Sequence, residues 1–192
     1  LNSIYESSEI DAILNLALEH YLGFSKTDIA NKKNENINQS DLLKLYFCYK
    51  ELKKNTPIQY ILKEAWFYNL KFYVDQKVLI PRPETEELVD LILKENKSAS
   101  SFIDIGTGSG CIPIAIKKKS TNSNVSACDI SLDALEVAKK NAALNKTEVN
   151  FIELDILDEK TSSKKIDKTF DVIVSNPPYI KSSEKGLMTK PV

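Results

Sequence analysis

Residues 101–110 read Ser-Phe-Ile-Asp-Ile-Gly-Thr-Gly-Ser-Gly, an apolar run that passes directly into a glycine-rich stretch. The run predicts a buried strand, and the residues from Cys111 onward predict a helix. Glycines at such a junction allow a tight turn and let a ligand approach the backbone amides near the helix N-terminus. A turn that merely joins the strand to the helix is the alternative.

The spacing of these glycines distinguishes two classes of ligand. Dinucleotide-binding proteins use Gly-x-Gly-x-x-Gly, whereas Gly106, Gly108 and Gly110 follow the pattern Gly-x-Gly-x-Gly. Asp104 stands two positions before the first of them. Because an acidic side chain at that position can help to hold an ammonium group, the loop favours a nucleoside–methionine ligand over a pyrophosphate.

Strand and helix patterns alternate beyond about residue 98, which predicts a parallel sheet with helical crossovers. The predicted strands are 101–105, 125–129, 149–153 and 170–175, and the predicted helices are 111–119 and 131–144. Residues 158–168 are polar and are expected to form a surface loop before the last strand.

Two more strand ends carry acidic residues that suit a nucleoside. Asp129 ends the second strand, where a carboxylate can accept hydrogen bonds from the two ribose hydroxyls. Its alternative role is to cap the helix that begins near Ser131. Asp155 and Ile156 follow the third strand, where they offer a carboxylate for the adenine amino group and an apolar wall. For Asp155 a plain turn residue is the alternative.

The fourth strand ends in Asn-Pro-Pro-Tyr at 176–179. Two prolines fix the backbone and cannot donate hydrogen bonds, so the chain leaves the sheet along a stiff path. The carboxamide oxygen of Asn176 and the carbonyl of Pro177 can then point at one spot. Two acceptors on one spot suit a planar NH₂ group, either an amide or an exocyclic amine that reacts at nitrogen.

The first part of the chain predicts a small helical module followed by a hairpin. One helix is expected from a cap at Ser8 to a stop at Gly23, a second from a cap at Ser40 to Leu52, and a short third helix opens at Thr56-Pro57 and runs to about Leu62. A polar connector is predicted at 31–39, a hairpin at 66–74 with its turn at Asn69, a third extended piece at 78–80, and a helix from Glu84.

Composition excludes several classes of protein. The 192 residues include 26 basic and 27 acidic side chains, a net charge of −1, which gives no electrostatic case for a general nucleic-acid binder. No apolar run approaches a membrane span, and no signal segment opens the chain. Cys48, Cys111 and Cys128 lack metal-ligand spacing and His20 is the only histidine, so no metal is expected. The cysteines suit the core of a reduced, cytoplasmic protein.

Several segments together resemble the HemK/PrmC family, the S-adenosylmethionine-dependent methyltransferases that modify the glutamine of the Gly-Gly-Gln motif in peptide chain release factors. The segments are 57–62, Phe67, Phe72, Val74, 78–86, 104–110 and 176–180. Asn-Pro-Pro-Tyr is shared with adenine-N6 methyltransferases, so the specific part is Ile-Pro-Arg-Pro-Glu-Thr-Glu at 80–86.

The resemblance implies an α/β fold: a Rossmann-like S-adenosylmethionine-dependent methyltransferase sheet over residues 83–192, an N-terminal helical bundle over 1–64 that docks the release factor, and a β-hairpin linker over 65–82. The family's sheet has seven strands, and three of them would follow Ile180. We therefore expect the chain, which runs from Leu1 to Val192, to be a truncated form.

The resemblance also assigns roles at the sheet edge. The residues expected at the cofactor S-adenosylmethionine are Asp104, Gly106, Thr107, Gly108, Ser109, Gly110, Asp129, Asp155, Ile156 and Asn176. Those expected to hold the substrate glutamine are Asn176, Pro177, Pro178 and Tyr179, of which Asn176, Pro177 and Tyr179 are the catalytic group. Arg82, Glu84 and Thr85 shape the cofactor pocket or, alternatively, serve as helix caps and linker ion pairs.

Two residues depart from the family pattern, since Lys63 and Asn69 stand where glycine is common. Asparagine tolerates left-handed geometry, and lysine weakens its turn. Three other functions stay open: adenine-N6 methylation of DNA or RNA, methylation of a ribosomal-protein glutamine, and a non-catalytic piece that binds a release factor.

Overall fold

The computed structural model describes residues 1, 4–32, 35–166 and 168–177, and the chain divides into two units, Leu1–Lys63 and Glu64–Val192. In its described part the first unit is helical. Its helices are α1 (Ser7–Leu22), α2 (Lys26–Asn31), α3 (Gln39–Leu52) and α4 (Ile58–Leu62). The sequence predicts α1, α3 and α4 but not α2. This short helix begins at a capping box, in which the side chains of Ser25 and Asp28 each accept the other's backbone N–H.

The predicted helix starts are wrong by one or two residues. Glu6 precedes α1, so Ser8 lies inside the helix and caps nothing. Asn38 caps α3 in place of Ser40, because its side-chain oxygen accepts the backbone N–H of Asp41 at 2.9 Å. Pro57 is the cap of α4 and not its first residue. Asparagine and serine are nearly equal as caps, so the pattern alone does not choose between neighbours.

The helical unit has its own apolar core. α1 packs against α3 and α4, and the buried residues are Ile13, Ala17, Cys48, Leu52, Ile58 and Leu62. Lys63 ends α4 with a φ of 54°, a left-handed conformation, and the family that the sequence resembles commonly has glycine there. The lysine is therefore accommodated in that turn.

A hairpin opens the second unit. Strands β1 (Ala65–Phe67) and β2 (Leu70–Phe72) pair antiparallel. Tyr68 and Asn69 join them with φ angles of 54° and 58°, as a tight two-residue hairpin turn requires. The prediction for Asn69 is confirmed, since it adopts the left-handed conformation.

The strand predictions on either side of Asp75 are partly wrong. The second strand stops at Phe72 and not at Val74, because the backbone of Tyr73 bonds to the side chain of Asn141 instead. Residues 78–80 form no strand. Asp75 draws the chain into a turn there by accepting the N–H of Lys77 on its side chain and that of Val78 on its carbonyl.

The parallel sheet of the second unit confirms the predicted α/β class. Its strands are β3 (Ser101–Ile105), β4 (Asn124–Asp129), β5 (Asn150–Glu153) and β6 (Val172–Ser175), in the order β5-β4-β3-β6. Helix α5 (Glu84–Glu95) precedes them, and α6 (Cys111–Lys119), α7 (Leu132–Leu144) and α8 (Glu159–Lys165) lie between them in the chain. From β3 the chain winds outward through β4 to β5 and then returns to place β6 on the other side of β3. The strand order therefore reverses between β3 and β6.

The predicted loop at 158–168 is wrong over most of its length, since Glu159–Lys165 form helix α8. Asp158 caps it by accepting the backbone N–H of Lys160 at 3.1 Å. A cap and an acidic residue in the first turn suffice for two turns of helix, although the side chains are polar throughout.

Aromatic residues of the hairpin and strands fill the core beneath α5 and α6. Phe67, Phe72 and Phe102 are almost fully buried there, together with Val89 and Ile114. The three cysteines are buried and free, as predicted. Within the described ranges the chain contains no helix with the length and apolar character needed to cross a membrane.

Candidate active site

The carboxyl ends of the parallel strands bring the predicted residues to one edge. Ile105 of β3 pairs with Cys128 of β4 and with Ser175 of β6. Gly106 and Asn176 therefore directly follow their strands, and Asp129 is the last residue of the strand between β3 and β5. The strand order reverses between β3 and β6, and open α/β sheets bind ligands at the carboxyl edge where such a reversal occurs.

The three glycines of the loop have different surroundings. All three have positive φ, 73° at Gly106, 54° at Gly108 and 77° at Gly110. A Cβ on Gly110 would meet the Cβ of Ala138 at 3.0 Å and the Cδ1 of Ile114 at 3.2 Å, so this glycine lets α6 and α7 pack closely. At Gly106 and Gly108 a Cβ would have nothing within 4 Å. These two glycines therefore border open space at the strand edge.

Asp129 organises this loop. One carboxylate oxygen accepts the N–H of Gly108 at 2.9 Å and the other accepts the N–H of Ser131 at 3.0 Å. The predicted alternative, that Asp129 caps α7, is wrong, because Ser131 is the cap and accepts the N–H of Ala134. A carboxylate has about four lone-pair positions, so Asp129 retains acceptor capacity for ligand hydroxyls.

Asp104 and Thr107 present buried polar atoms without partners. Asp104 is 2% exposed, and neither its two oxygens nor the hydroxyl of Thr107 has a hydrogen-bond partner within the described part of the chain. Burial raises the pKa of Asp104 to about 7, and the charge of Asp129 adds to the rise. Orphaned acceptors of this kind are rare in native proteins and call for an explanation. A cationic ligand group fits them.

Asp155 lies in the turn after β5, at the same edge. Its side chain is exposed and accepts the N–H of Leu157 at 3.0 Å, as a turn residue does. Ile156 beside it is 39% exposed. The turn role is therefore realised, and the contact with adenine stays a prediction for both residues.

Asn176 is held in place by two neighbouring elements. Its Nδ2 donates to the Oγ1 of Thr85 at 3.0 Å, and the hydroxyl of the preceding Ser175 donates to the carbonyl of Ile105 at 2.8 Å. The bond to Thr85 uses the nitrogen of the carboxamide, so the oxygen remains an acceptor. Pro177 is exposed next to it. Pro178 and Tyr179 lie outside the described residues.

The remaining residues of the 80–86 segment divide into two kinds. Thr85 is buried, whereas Arg82 and Glu84 are exposed. Neither of the exposed pair forms an ion pair with any described residue, so the linker salt bridge is absent from this part of the chain. The cofactor-pocket role of all three stays a prediction.

Sequence reasoning missed Asn141, which is fully buried on α7. Its Oδ1 accepts the N–H of Tyr73 at 2.6 Å, and its Nδ2 donates to the carbonyls of Tyr73 and Ser109, both at 2.9 Å. Asn145, one turn later, donates to the carbonyl of Lys71 at 2.9 Å. The available signal is two asparagines four positions apart on an apolar helix face, where polar residues need partners.

No group of three or more metal-ligating side chains occurs in the described ranges.

Known families and proteins match both units. The family described as PrmC N-terminal domain matches residues 1–62, and the methyltransferase small domain matches residues 84–190. Three curated proteins named release factor glutamine methyltransferase are similar to the chain. The Flavobacterium psychrophilum protein is 42% identical over 197 residues, covering 100% of this chain and 68% of its own length. The Lactococcus lactis protein is 47% identical, covering 83% and 57%. The Bacteroides thetaiotaomicron protein is 42% identical, covering 98% and 66%.

Proposed function

Because this chain belongs to the release factor glutamine methyltransferase family, we propose that it methylates the glutamine of the Gly-Gly-Gln motif in peptide chain release factors. The methyl group comes from S-adenosylmethionine and the acceptor is the side-chain amide nitrogen. The observation that carries the proposal is the fixed carboxamide of Asn176. It follows β6, the strand next to the one that leads into the glycine loop, and its oxygen is available as an acceptor.

The cofactor pocket in this proposal uses the edge of β3, β4 and β5. Gly106 and Gly108 leave room for the ligand beside the backbone amides, and Thr107, Ser109 and Gly110 complete the loop. Asp104 offers its unpartnered carboxyl to the ammonium group, Asp129 its spare lone pairs to the ribose, and Asp155 and Ile156 a polar and an apolar contact to the adenine. Bound S-adenosylmethionine supplies a methyl group activated by the sulfonium charge.

The substrate pocket addresses a chemical difficulty, since an amide nitrogen is a weak nucleophile. The Oδ1 of Asn176 and the carbonyl of Pro177 accept the two N–H bonds of the glutamine side chain. This orients the nitrogen and favours the positive charge that develops on it. Pro178 and Tyr179 complete the pocket, with Tyr179 packed on the plane of the amide. No general base is required, because the proton leaves after the transfer.

Residues 1–64 dock the release factor in this proposal, and 65–82 link them to the methyltransferase domain, 83–192. The support is an exposed apolar row on α3, where Leu42, Leu43 and Phe47 are 57%, 53% and 57% exposed. Scattered apolar residues are normal on a surface, but neighbouring ones mark interaction sites. The proposal includes a cytoplasmic location, because translation termination takes place there.

Mass spectrometry tests the proposal directly. A release factor with the Gly-Gly-Gln motif is incubated with the chain and S-adenosylmethionine, and we expect a gain of one methyl group on the glutamine. Asn176→Ala should lower turnover about 100-fold or more, by analogy with the loss of one positioned polar group in other active sites, while cofactor affinity stays within a few-fold.

Asn124→Ala is the matched control, because Asn124 is an exposed residue at the opposite end of β4. It should methylate like the unchanged chain. An unmodified glutamine with the unchanged chain would overturn the proposed function. Full turnover by Asn176→Ala would overturn the catalytic assignment alone.

A further inference from the structure

Thr85 makes a hydrogen bond that links two distant parts of the chain. It lies in the first turn of α5, is 7% exposed, and its Oγ1 accepts the Nδ2 of Asn176 at 3.0 Å, 91 positions later in the sequence. We propose that Thr85 is a positioning residue, which fixes the carboxamide of Asn176 so that its oxygen faces the substrate amide. This inference rests on the proposed function.

The orientation of a carboxamide decides what it can bind. A rotation of 180° exchanges its acceptor oxygen and its donor NH₂ group. In the exchanged orientation the NH₂ group of Asn176 would face the NH₂ group of the substrate glutamine, and two sets of donors cannot bond to each other. In the structure the nitrogen of the carboxamide bonds to Thr85, so this bond holds the side chain in the orientation that leaves its oxygen for the substrate.

Thr85 is itself held in one position. Its backbone N–H donates to the carbonyl of Arg82 at 3.0 Å, and a β-branched side chain in a helix has few rotamers. The next residue, Glu86, accepts the N–H of Tyr68 at 2.9 Å, which ties this turn to the hairpin. Val89, one turn later, is completely buried in the core. The hydroxyl thus belongs to a rigid frame.

Asn176 is also fixed through its backbone. Ser175 donates its hydroxyl to the carbonyl of Ile105, which ties the end of β6 to the end of β3. The backbone position of Asn176 is set by that bond and by the strand pairing. The rotation of its carboxamide is set by Thr85. Loss of the Thr85 hydroxyl should therefore affect the chemical step and leave the backbone in place.

Three variants separate positioning from packing. Thr85→Val keeps the shape of the side chain and removes the acceptor, and Thr85→Ser keeps the acceptor and removes a methyl group. Thr147→Val is the control: it makes the same change just after the C-terminal end of α7, at a threonine whose hydroxyl donates to the carbonyl of Ala142. We expect Thr85→Val to lower kcat for methylation of the release factor at least tenfold, with the Kd for S-adenosylmethionine within twofold. Thr85→Ser should recover most of kcat, and Thr147→Val should not change it.

Nuclear magnetic resonance reads the bond without turnover. The side-chain amide signals of Asn176 are identified by their loss in Asn176→Asp. In Thr85→Val these signals should shift and exchange with solvent faster, whereas Thr85→Ser should resemble the unchanged chain.

The two methods distinguish the possible failures. If the unchanged chain does not methylate, the proposed function fails, and unchanged amide signals in Thr85→Val would then overturn the positioning role as well. If the unchanged chain methylates and Thr85→Val matches it in kcat, the inference is wrong. A loss of cofactor affinity as large as the loss of kcat would also overturn it, because Thr85 would then act as a cofactor contact.

Discussion

Alanine at Gly110 should mainly lower the stability of the protein, whereas alanine at Gly106 should mainly weaken cofactor binding. Both glycines have nearly the same positive φ, 77° and 73°. Alanine in the left-handed conformation costs about 1–2 kcal/mol, and this cost applies to both variants. The surroundings differ, since a Cβ at Gly110 meets its neighbours and one at Gly106 meets nothing within 4 Å.

The extra cost at Gly110 follows from those contacts. The added methyl group would lie 3.0 Å from the Cβ and 3.3 Å from the Cα of Ala138, and 3.2 Å from the Cδ1 of Ile114. The backbone atom cannot move without shifting α7 against α6. Overpacking of this kind costs about 1–3 kcal/mol, so Gly110→Ala should lose about 2–5 kcal/mol of the free energy of unfolding and Gly106→Ala only about 1–2 kcal/mol.

Urea unfolding followed by the fluorescence of Trp66 measures the difference, because this single tryptophan lies in the same unit as the loop. Calorimetric titration with S-adenosylhomocysteine measures the second effect. Gly106→Ala should bind at least tenfold more weakly, since its methyl group fills ligand space. Gly110→Ala should lose less affinity below its unfolding midpoint, because its methyl group meets Ala138 and Ile114 and not the open space at the strand edge. Equal stability losses would refute the packing argument, and normal binding by Gly106→Ala would refute the assignment of ligand space.

Two further predictions concern buried polar groups. Asn141→Leu removes the partner of the N–H and carbonyl of Tyr73 and of the buried carbonyl of Ser109, at about 1–3 kcal/mol for an orphaned group. It should lower the urea midpoint far more than Lys139→Leu, an exposed change on the same helix, and similar midpoints would contradict the role of Asn141. The pKa of Asp104 is about 7 in the folded protein against an ordinary value of 3.8, so the folded state binds this proton more tightly. The contribution of Asp104 to the free energy of unfolding is therefore largest below pH 3.8 and is lost as the pH rises through 7. Asp104→Asn should flatten urea midpoints measured between pH 4.5 and 8, and parallel profiles would show that Asp104 is not the group responsible.

Sequence patterns predicted the parts of this molecule that depend on local order. The alternation of strands and helices predicted the parallel sheet, and strand ends predicted that Gly106, Asp129 and Asn176 lie at one edge. The rule behind this success is geometric, since parallel strands place their carboxyl ends together whatever their sequence. The left-handed turn at Asn69 was predicted for a different local reason, since few residues other than glycine and asparagine tolerate that conformation.

The failures have two physical origins. Helix starts depend on small differences between capping side chains, which explains the errors at Ser8 and Ser40 and the missed α2 and α8. The other failures are long-range bonds. Asn141 and Thr85 bond to residues 68 and 91 positions away, and no local pattern records a partner that distant.

The hydrogen bonds of Asn141 on α7 limit where the chain can accept an insertion. One side chain, that of Asn141, is hydrogen-bonded both to the backbone of Tyr73, just after β2, and to the carbonyl of Ser109 in the glycine loop. The position of the glycine loop therefore depends on the segment that follows β2, far from the loop in the sequence. An insertion beside Tyr73 would break these bonds and loosen the glycine loop, although it changes no residue of the loop itself.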